Sequence, residues 1–396
     1  MTQSTTAKPH PTSVKKFDSV PLLDLQRQYQ QIREEVLAVV ERVCASQHFI
    51  LGAEVEALER EIAAFTGATE GVGCASGTDA LWLALLAAGV QPGDAVITTA
   101  FSFFASVSSI VRAGGRPILV DVDPETLNID PKRVREQIET SGLRKIRAVL
   151  PVHLYGQCAD MDALGAIAED FGLAIVEDAA QAIGATWRGR GAGSLGVTAA
   201  FSFYPTKNLS AYGDAGMVTT SEPDMAQRMR NLRNHGSPRR YHHEEIGWNC
   251  RMDAIQAAIL RVKLPHVDRW NQQRRECAGT YDRLLAEAGL ISAKGNSPIR
   301  PLKTSPHGFH VFHQYVIRAS RRDGLRRFLS DRKIGTEVYY PVPLHLQPCL
   351  AYLGYSEGSL PESEQAAREV LALPMFPELT DDEQKWVVER LAEFYS

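Results

Sequence analysis

Short apolar runs alternate with helix-like segments between about residues 68 and 220, and this alternation strongly constrains the fold. Strands are predicted over residues 71–75, 95–99, 116–120, 147–152, 173–176, 198–203 and 216–220. The intervening helices include residues 79–88, 104–113, 131–140 and 161–171. Such alternation predicts an α/β fold with a mostly parallel sheet covered on both faces. Ligands bind such sheets at the carboxyl ends of the strands.

A lysine and an aspartate lie at two of these strand ends. Asp178 follows one predicted strand and Lys207 follows the next, 207 − 178 = 29 residues later, which allows one crossover between neighbouring strands. A buried amine can hold an aldehyde as a Schiff base, and a buried carboxylate can keep a pyridine nitrogen protonated. The pair favours pyridoxal phosphate chemistry, and a structural ion pair is the alternative.

Two other strand ends carry residues suited to the same cofactor. Ser76, Gly77 and Thr78 open a predicted helix, whose first amides and dipole favour a phosphate. The alternative there is an ordinary capped helix. Phe103 lies where an aromatic ring can stack on a flat cofactor, and core packing is its alternative.

Three further motifs are assigned no chemistry. Residues 191–196 match G-x-G-x-x-G, but a strand follows them instead of a helix, so a turn is predicted. The adjacent His242 and His243 do not face one side of a helix or strand, and no metal site is predicted. Cys349 has no basic neighbour in sequence that would lower its pKa, so a structural role is expected.

Composition excludes several classes of protein. A formal net charge of −4 gives no reason to expect a nucleic acid partner. The longest apolar run, residues 80–90, is too short to span a bilayer, so no membrane partner is expected. The six cysteines are scattered without a C-x-x-C pair, which indicates a reduced, cytoplasmic enzyme.

The chain is predicted to contain a disordered tail over residues 1–17, a large domain over 18–270 and a small α+β domain over 271–396. A long helix is predicted from residue 253 to about 284, interrupted near Pro265. Beyond it we predict a strand at 315–318, a helix at 321–332, a strand at 336–340 and a helix at 381–394.

Seven segments together resemble the DegT/DnrJ/EryC1/StrS sugar aminotransferases, and the likeness extends from about Val20 to the C-terminus. They are residues 76–81, 151–156, 177–181, 201–207, 213–216, 247–253 and 340–345. The resemblance implies the aspartate aminotransferase fold (fold type I) and pyridoxal 5′-phosphate as cofactor, with pyridoxamine phosphate as intermediate. It also implies L-glutamate as amino donor, a keto-sugar linked to a nucleoside diphosphate as acceptor, and a homodimer with shared active sites.

The resemblance also implies roles for individual residues. Lys207 is the Schiff-base lysine and proton shuttle, and Asp178 pairs with the pyridine nitrogen. The other cofactor contacts are Gln181 near the ring hydroxyl, Phe103 on the ring, and Gly77, Thr78 and Ser202 at the phosphate. Asn249 reaches the cofactor phosphate of the neighbouring subunit, and Tyr340 and His345 lie near the sugar.

The sugar itself is left open between related substrates. Residues 21–29 and 341–345 look like those of enzymes acting at C3 of dTDP-linked 3-keto-6-deoxyhexoses. Residues 239–243 resemble those of enzymes acting at C3 of UDP-linked 3-keto-uronic acids, where Arg251 or Arg240 would bind the carboxylate. Both patterns favour C3 over C4.

Three other functions are weighed against amino transfer. Related sugar dehydratases carry histidine where Lys207 stands, so the lysine argues against dehydration. A non-catalytic cofactor-binding regulator would need an output module, and the sequence offers none. A nicotinamide-dependent enzyme is disfavoured because its glycine motif would be misplaced.

Overall fold

The computed structural model describes residues 17–140, 142, 145–292 and 297–396. Its helices are α1 (Leu25–Ser46), α2 (Ala53–Thr66), α3 (Gly77–Ala87), α4 (Ala105–Arg112), α5 (Pro131–Thr140), α6 (Met161–Phe171), α7 (Pro223–Leu232), α8 (Ala254–Lys263), α9 (Val267–Glu287), α10 (Arg322–Asp331), α11 (Pro361–Glu369) and α12 (Asp381–Tyr395). Its strands are β1 (Glu70–Cys74), β2 (Ala95–Thr99), β3 (Arg116–Val120), β4 (Ile146–Leu150), β5 (Ala174–Asp178), β6 (Thr186–Trp187), β7 (Arg190–Gly191), β8 (Thr198–Ser202), β9 (Gly216–Thr220), β10 (Ile299–Pro301), β11 (Gly308–Phe309), β12 (Tyr315–Ala319) and β13 (Val370–Leu373). The predicted tail, apart from Phe17, lies outside the described residues.

A seven-stranded sheet forms the centre of the molecule, in the order β1-β9-β8-β5-β4-β2-β3. The four pairings from β8 to β3 are parallel, and β9 runs antiparallel to both β8 and β1. The predicted α/β class with a mostly parallel sheet is therefore confirmed. The strands read as continuous apolar runs because both faces of the sheet are covered.

Helices cover the two faces of this sheet with separate apolar layers. Helix α3 packs on β8 and β9, and its residues from Ala80 to Leu85 are all buried. Leu58 and Ile62 of α2 and Leu164 of α6 belong to the other layer. A helix that is apolar around its whole circumference is typical of a buried position. This burial fixes the start of α3 against the end of β8.

The predicted interruption near Pro265 is confirmed. Helix α8 ends at Lys263, a 3₁₀ turn covers Leu264–His266, and α9 begins at Val267. Proline has no amide hydrogen and its ring clashes with the preceding turn, so a continuous α-helix cannot pass through it.

The chain after α9 forms a second, three-stranded antiparallel sheet in the order β10-β12-β13. The strand predicted over residues 336–340 is wrong: only Glu337 bridges to this sheet, opposite Ala372. The segment leaves the sheet because Tyr339 and Tyr340 line a cavity instead. The predicted division into a large and a small domain stays a prediction.

A third small sheet, β11-β6-β7, lies beside the turn predicted over residues 191–196. That turn is confirmed, and the buried carboxylate of Glu177 accepts the amides of Gly193, Leu195 and Gly196 at 2.8–3.0 Å. Because these amides are engaged, the glycine motif offers no phosphate cradle. Among the described helices, none combines the length and apolar character that crossing a bilayer requires.

Candidate active site

Asp178 and Lys207 meet in one cavity of about 790 Å³ at the end of the central sheet. Asp178 is the last residue of β5, and Lys207 follows β8, which pairs with β5 in parallel. Side chains at the carboxyl ends of adjacent parallel strands reach the same crevice. The predicted site residues that line it are Gly77, Thr78, Phe103, Asp178, Gln181, Ser202, Lys207 and Tyr340.

The Asp178 carboxylate is buried, with two hydrogen-bond donors. The Ser106 hydroxyl donates to Oδ2 at 2.7 Å, and the Ala180 amide donates to Oδ1 at 3.2 Å. Burial raises the pKa of Asp178 above its ordinary value, and the two donors and the charge of Lys207 oppose that rise. The carboxyl is thus held in the cavity with acceptor capacity to spare for a protonated ring nitrogen.

The Lys207 amine has a strongly lowered proton affinity. Burial lowers its pKa to about 8, and the nearby Asp178 charge opposes the shift. A turn in which the Lys207 amide donates to the Tyr204 carbonyl at 2.8 Å positions its backbone. An amine with this pKa is partly neutral near pH 7–8, which is the form that attacks an aldehyde or removes a proton.

Helix α3 begins beside the end of β8, and the residues there form a cradle at the edge of the cavity. Ser76 is the N-cap of α3 and its hydroxyl accepts the Asp79 amide at 3.1 Å. The amides of Gly77 and Thr78 belong to the first turn, where a helix has no internal acceptor for them. A methyl group on Gly77 would lie 2.5 Å from the Ser202 Cβ. Glycine is therefore required where α3 approaches Ser202. Gly77, Thr78 and Ser202 all line the cavity, and free amides at a helix N-terminus favour an anion.

Aromatic and amide side chains form another part of the cavity lining. The Phe103 ring is 58% exposed, and its centroid lies 6.2 Å from that of Tyr340. Gln181 accepts the Tyr155 amide at 2.6 Å through Oε1 and donates to the Tyr340 hydroxyl at 3.2 Å through Nε2. Burial raises the pKa of Tyr340, so its hydroxyl stays protonated. An exposed phenylalanine facing a cavity is free to stack on a flat ligand.

Sequence reasoning missed several residues of the cavity and its support. The Ser106 hydroxyl donates to the Asp178 carboxylate. The feature of the sequence that could have indicated Ser106 is its position in the helix that follows Phe103. The cavity is also lined by Tyr204, Asp214, His313, Gln314, Glu337 and Tyr339. His313 and Gln314 directly precede the predicted strand at 315–318, so a polar pair before a strand was the available signal.

Four predicted site residues do not line this cavity. Asn249 is exposed and bridges to Asn234, and Arg251 donates to the Asn234 side chain at 3.0 Å. Arg240 is exposed and stacks on Tyr241. His345 is buried, with Nε2 3.0 Å from Oε1 of Glu364. Within the described part of the chain, no cluster of histidine, cysteine or acidic residues is suited to hold a metal ion.

The model of the DegT/DnrJ/EryC1/StrS aminotransferase family matches residues 30–392. The chain belongs to this family. It is 54% identical to a "Pleiotropic regulatory protein" of Geobacillus stearothermophilus, over 95% of this chain and 99% of that protein. It is 44% identical to the dTDP-3-amino-3,4,6-trideoxy-alpha-D-glucose transaminase of Streptomyces venezuelae, over 95% and 96% of the two chains.

Solved structures agree with this assignment. The S. venezuelae DesV structure in complex with a ketimine intermediate is similar at a TM-score of 0.90, with 44% identity, over 95% of this chain and 98% of that one. The NtdA structure from Bacillus subtilis with bound cofactor PMP is similar at 0.86, with 32% identity, over 95% and 85%. The protein is a pyridoxal-phosphate-dependent sugar aminotransferase of fold type I.

The residues present fit pyridoxal phosphate. Gly77, Thr78 and Ser202 would hold the phosphate, Asp178 the ring nitrogen, Gln181 the ring hydroxyl, Phe103 the ring face and Lys207 the aldehyde. When bound, this cofactor supplies an electron sink that stabilises negative charge on the carbon next to an amine. The glycine cradle and the buried carboxyl with spare acceptor capacity are the observations that support the fit.

Proposed function

We propose that this enzyme transfers an amino group from L-glutamate to C3 of a dTDP-linked 3-keto-6-deoxyhexose. The observation that carries the chemistry is the half-buried Lys207, with its lowered pKa, in one cavity with Asp178 and the Gly77–Ser202 cradle. The regiochemistry and the nucleotide are supported by the dTDP-3-amino sugar transaminase that is 44% identical. Residues 21–29 and 341–345 support the same choice.

Lys207 is the residue that moves protons in both halves of the reaction. Its amine, once free, removes the proton from the α-carbon of the donor, and it returns a proton to the sugar carbon at the end. A pKa of about 8 suits both tasks, because the group gains and loses a proton readily near neutral pH. Asp178 keeps a negative charge against the ring nitrogen and so stabilises the charge that develops on the substrate carbon.

The charges of the cavity favour an uncharged hexose over a uronic acid. Its charged lining residues are Asp178, Lys207, Asp214 and Glu337. Arg251 and Arg240, the candidates for a carboxylate partner, do not line it within the described protomer. A sugar carboxylate beside Asp214 or Glu337 would be repelled unless a second subunit contributed an arginine.

A shared site in a homodimer is part of the proposal. The segment that carries Asn249 exposes large apolar side chains: Ile246 is 86% exposed and Trp248 is 55% exposed. Apolar groups clustered on a surface are typical of a protein interface. Burial of this segment against a second copy would carry Asn249 towards the partner's phosphate cradle.

Amine formation with four substrates tests the proposal. The holoenzyme is incubated with glutamate and the 3-keto or 4-keto form of a dTDP-6-deoxyhexose, or with a UDP-linked 3-keto or 4-keto sugar, and aminated sugar is measured by mass spectrometry. The 3-keto dTDP sugar should react fastest, and Lys207→Ala should abolish turnover. Preference for a 4-keto or UDP-linked sugar would overturn the substrate assignment.

The relative that is 54% identical is named a "Pleiotropic regulatory protein". A regulatory role is therefore the second candidate function. Incubation with glutamate alone distinguishes an aminotransferase from a regulator, because an aminotransferase converts its bound cofactor to the pyridoxamine form. That conversion is followed by absorbance without any sugar. A protein that binds the cofactor but shows no conversion with glutamate, and forms no amine with any of the four sugars, would favour regulation.

A further inference from the structure

His313 is a buried histidine that lines the cavity beside Lys207 and has no role in the mechanism described above. It lies in the segment before β12 and is 7% exposed. It shares the cavity wall with Lys207, Thr206 and Gln314. A buried imidazole at a reaction centre is either held neutral or paired, and its hydrogen bonds distinguish these states.

A chain of side-chain amides fixes the orientation of this imidazole. Asn271 donates through Nδ2 to the Ile183 carbonyl at 2.9 Å, so its Oδ1 faces Asn208. Asn208 donates through Nδ2 to Asn271 Oδ1 at 2.7 Å and to the Val311 carbonyl at 3.2 Å. Its own Oδ1 lies 3.0 Å from His313 Nδ1. Each amide is thus oriented by the next.

This chain determines which ring nitrogen carries the proton. Because Asn208 presents an oxygen, Nδ1 of His313 must be the donor. Burial holds the pKa of His313 well below its ordinary value, and the charges of Lys207 and Arg274 lower it further. The ring is therefore neutral at physiological pH. Nε2 then carries a lone pair and can only accept a hydrogen bond.

We propose that His313 is a positioning residue for Lys207, and that its Nε2 accepts a hydrogen bond from the Lys207 amine whenever that amine is free. Asn208, which orients His313, directly follows Lys207 in the chain. Two consecutive residues therefore supply the amine, Lys207, and the side chain that orients its acceptor, Asn208. The inference rests on the proposed function only in taking Lys207 as the reacting amine.

A neutral acceptor suits an amine that must shuttle a proton. When Lys207 has taken the proton from the donor carbon it is an ammonium, and a hydrogen bond to Nε2 stabilises that charge. A histidine whose pKa is far below neutral does not compete for the proton. The ammonium therefore stays directed into the cavity until it gives that proton up.

Two variants separate the functional bond of His313 from its structural bond. In His313→Asn the shorter amide reaches the position of Nδ1 and can keep the bond to Asn208, but the acceptor at Nε2 is lost. In His313→Gln the longer amide reaches the position of Nε2 and keeps an acceptor, but the bond to Asn208 is lost. His310→Asn is the matched control. His310 is also buried and lies three residues earlier, where its Nδ1 accepts the Phe312 amide at 2.9 Å, away from this cavity.

The first measurement uses cofactor-free protein. The rate at which an amine-reactive reagent labels Lys207 is followed against pH by peptide mass spectrometry. Removing the acceptor should lower the pH midpoint in His313→Asn by about one unit, because the charged form loses a hydrogen bond. His313→Gln and His310→Asn should keep the wild-type midpoint. Every variant retains the other titratable groups of the cavity, namely Asp178, Tyr204, Asp214, Glu337, Tyr339 and Tyr340, and Arg274 behind His313.

The second measurement uses the holoenzyme and glutamate alone. His313→Asn should lower the rate of cofactor conversion about 10- to 100-fold at saturating glutamate, with little change in the half-saturating concentration. His313→Gln should recover most of that rate. An unchanged midpoint in His313→Asn, or equal effects of the Asn and Gln variants in both measurements, would overturn the role. The labelling result needs no sugar, so it stands or fails independently of the substrate assignment.

Discussion

Two neighbouring carboxylates at the end of β5 have opposite surroundings. Glu177 accepts three backbone amides and lies 2.9 Å from His153 Nε2. The Ala159 amide donates to the other nitrogen of His153, so Nε2 carries the proton and donates to Glu177. Asp178 has two donors and opens on the cavity. Successive strand residues face opposite sides, so one carboxylate fastens a turn and the other serves the reaction. Asp178, the carboxylate that serves the reaction, is the one whose oxygens can still accept hydrogen bonds.

Replacing Asp178 by Asn should have the largest effect of any change to this pair. The amide keeps the shape and can still bond Ser106 and Ala180, but it cannot carry the charge that holds a ring nitrogen protonated. We expect kcat to fall by about 10³-fold or more, with stability unchanged or raised. Steady-state kinetics and urea unfolding of the same preparation measure the two quantities. Near-normal turnover would show that Asp178 is structural.

Replacing Glu177 by Gln should have the opposite result: stability should fall and turnover should change little. A glutamine places an NH₂ group where an oxygen now faces backbone amides or the His153 proton, so buried donors lose their acceptor. Breaking such a buried network typically costs about 3 kcal/mol, and urea unfolding should show a loss of that order. Turnover per folded molecule should change less than threefold. A stable Glu177→Gln protein with greatly reduced turnover would contradict the comparison.

Lys207→Met tests the comparison through the pH dependence of the free energy of unfolding. The folded pKa of Lys207, about 8, lies below its unfolded value of about 10.4. The unfolded chain binds more protons between these values, so the burial penalty is fully present below pH 8 and is lost as the pH rises towards 10.4.

Cofactor-free Lys207→Met should therefore be more stable than the wild type at pH 7, by about 3 kcal/mol, because the two pKa values differ by about 2.4 units at about 1.36 kcal/mol each. The gain should shrink between pH 8 and 10.5. Urea unfolding at pH 7 and pH 10 checks this, and Lys303→Met, at an exposed lysine, is the control with no gain expected at pH 7. A gain that does not change with pH would mean that methionine packs better, without a buried charge.

The central sheet could be predicted from the sequence because strands that are buried on both faces are continuously apolar. Each parallel strand is an apolar run, and the residue just after the run falls at the edge where ligands bind. Asp178, Gly77 and Lys207 lie two to four residues beyond such runs, so their signal is local and they were predicted. The same local reasoning failed at residues 336–340, where valine and tyrosines favour a strand but only Glu337 bridges to a sheet.

His313 shows why the rest of the site was not predictable. Its partner Asn208 and the residue that orients Asn208, Asn271, lie 105 and 42 residues away in sequence, since 313 − 208 = 105 and 313 − 271 = 42. No periodicity or motif links positions so far apart, and only the packed chain brings them together. Asn249 marks a different limit, because its predicted role requires a second subunit. That role stays a prediction.

The walls of the cavity come from distant parts of the chain, and this has a consequence during synthesis. Lys207 leaves the ribosome 340 − 207 = 133 residues before Tyr340. At common translation rates that interval is roughly 7 to 27 seconds. Throughout this interval the cavity lacks Tyr340, and for its first 313 − 207 = 106 residues it also lacks His313, so its lining is incomplete. A shortened chain that ends before Tyr340 contains every residue of the phosphate cradle and still has no enclosed site to retain the cofactor.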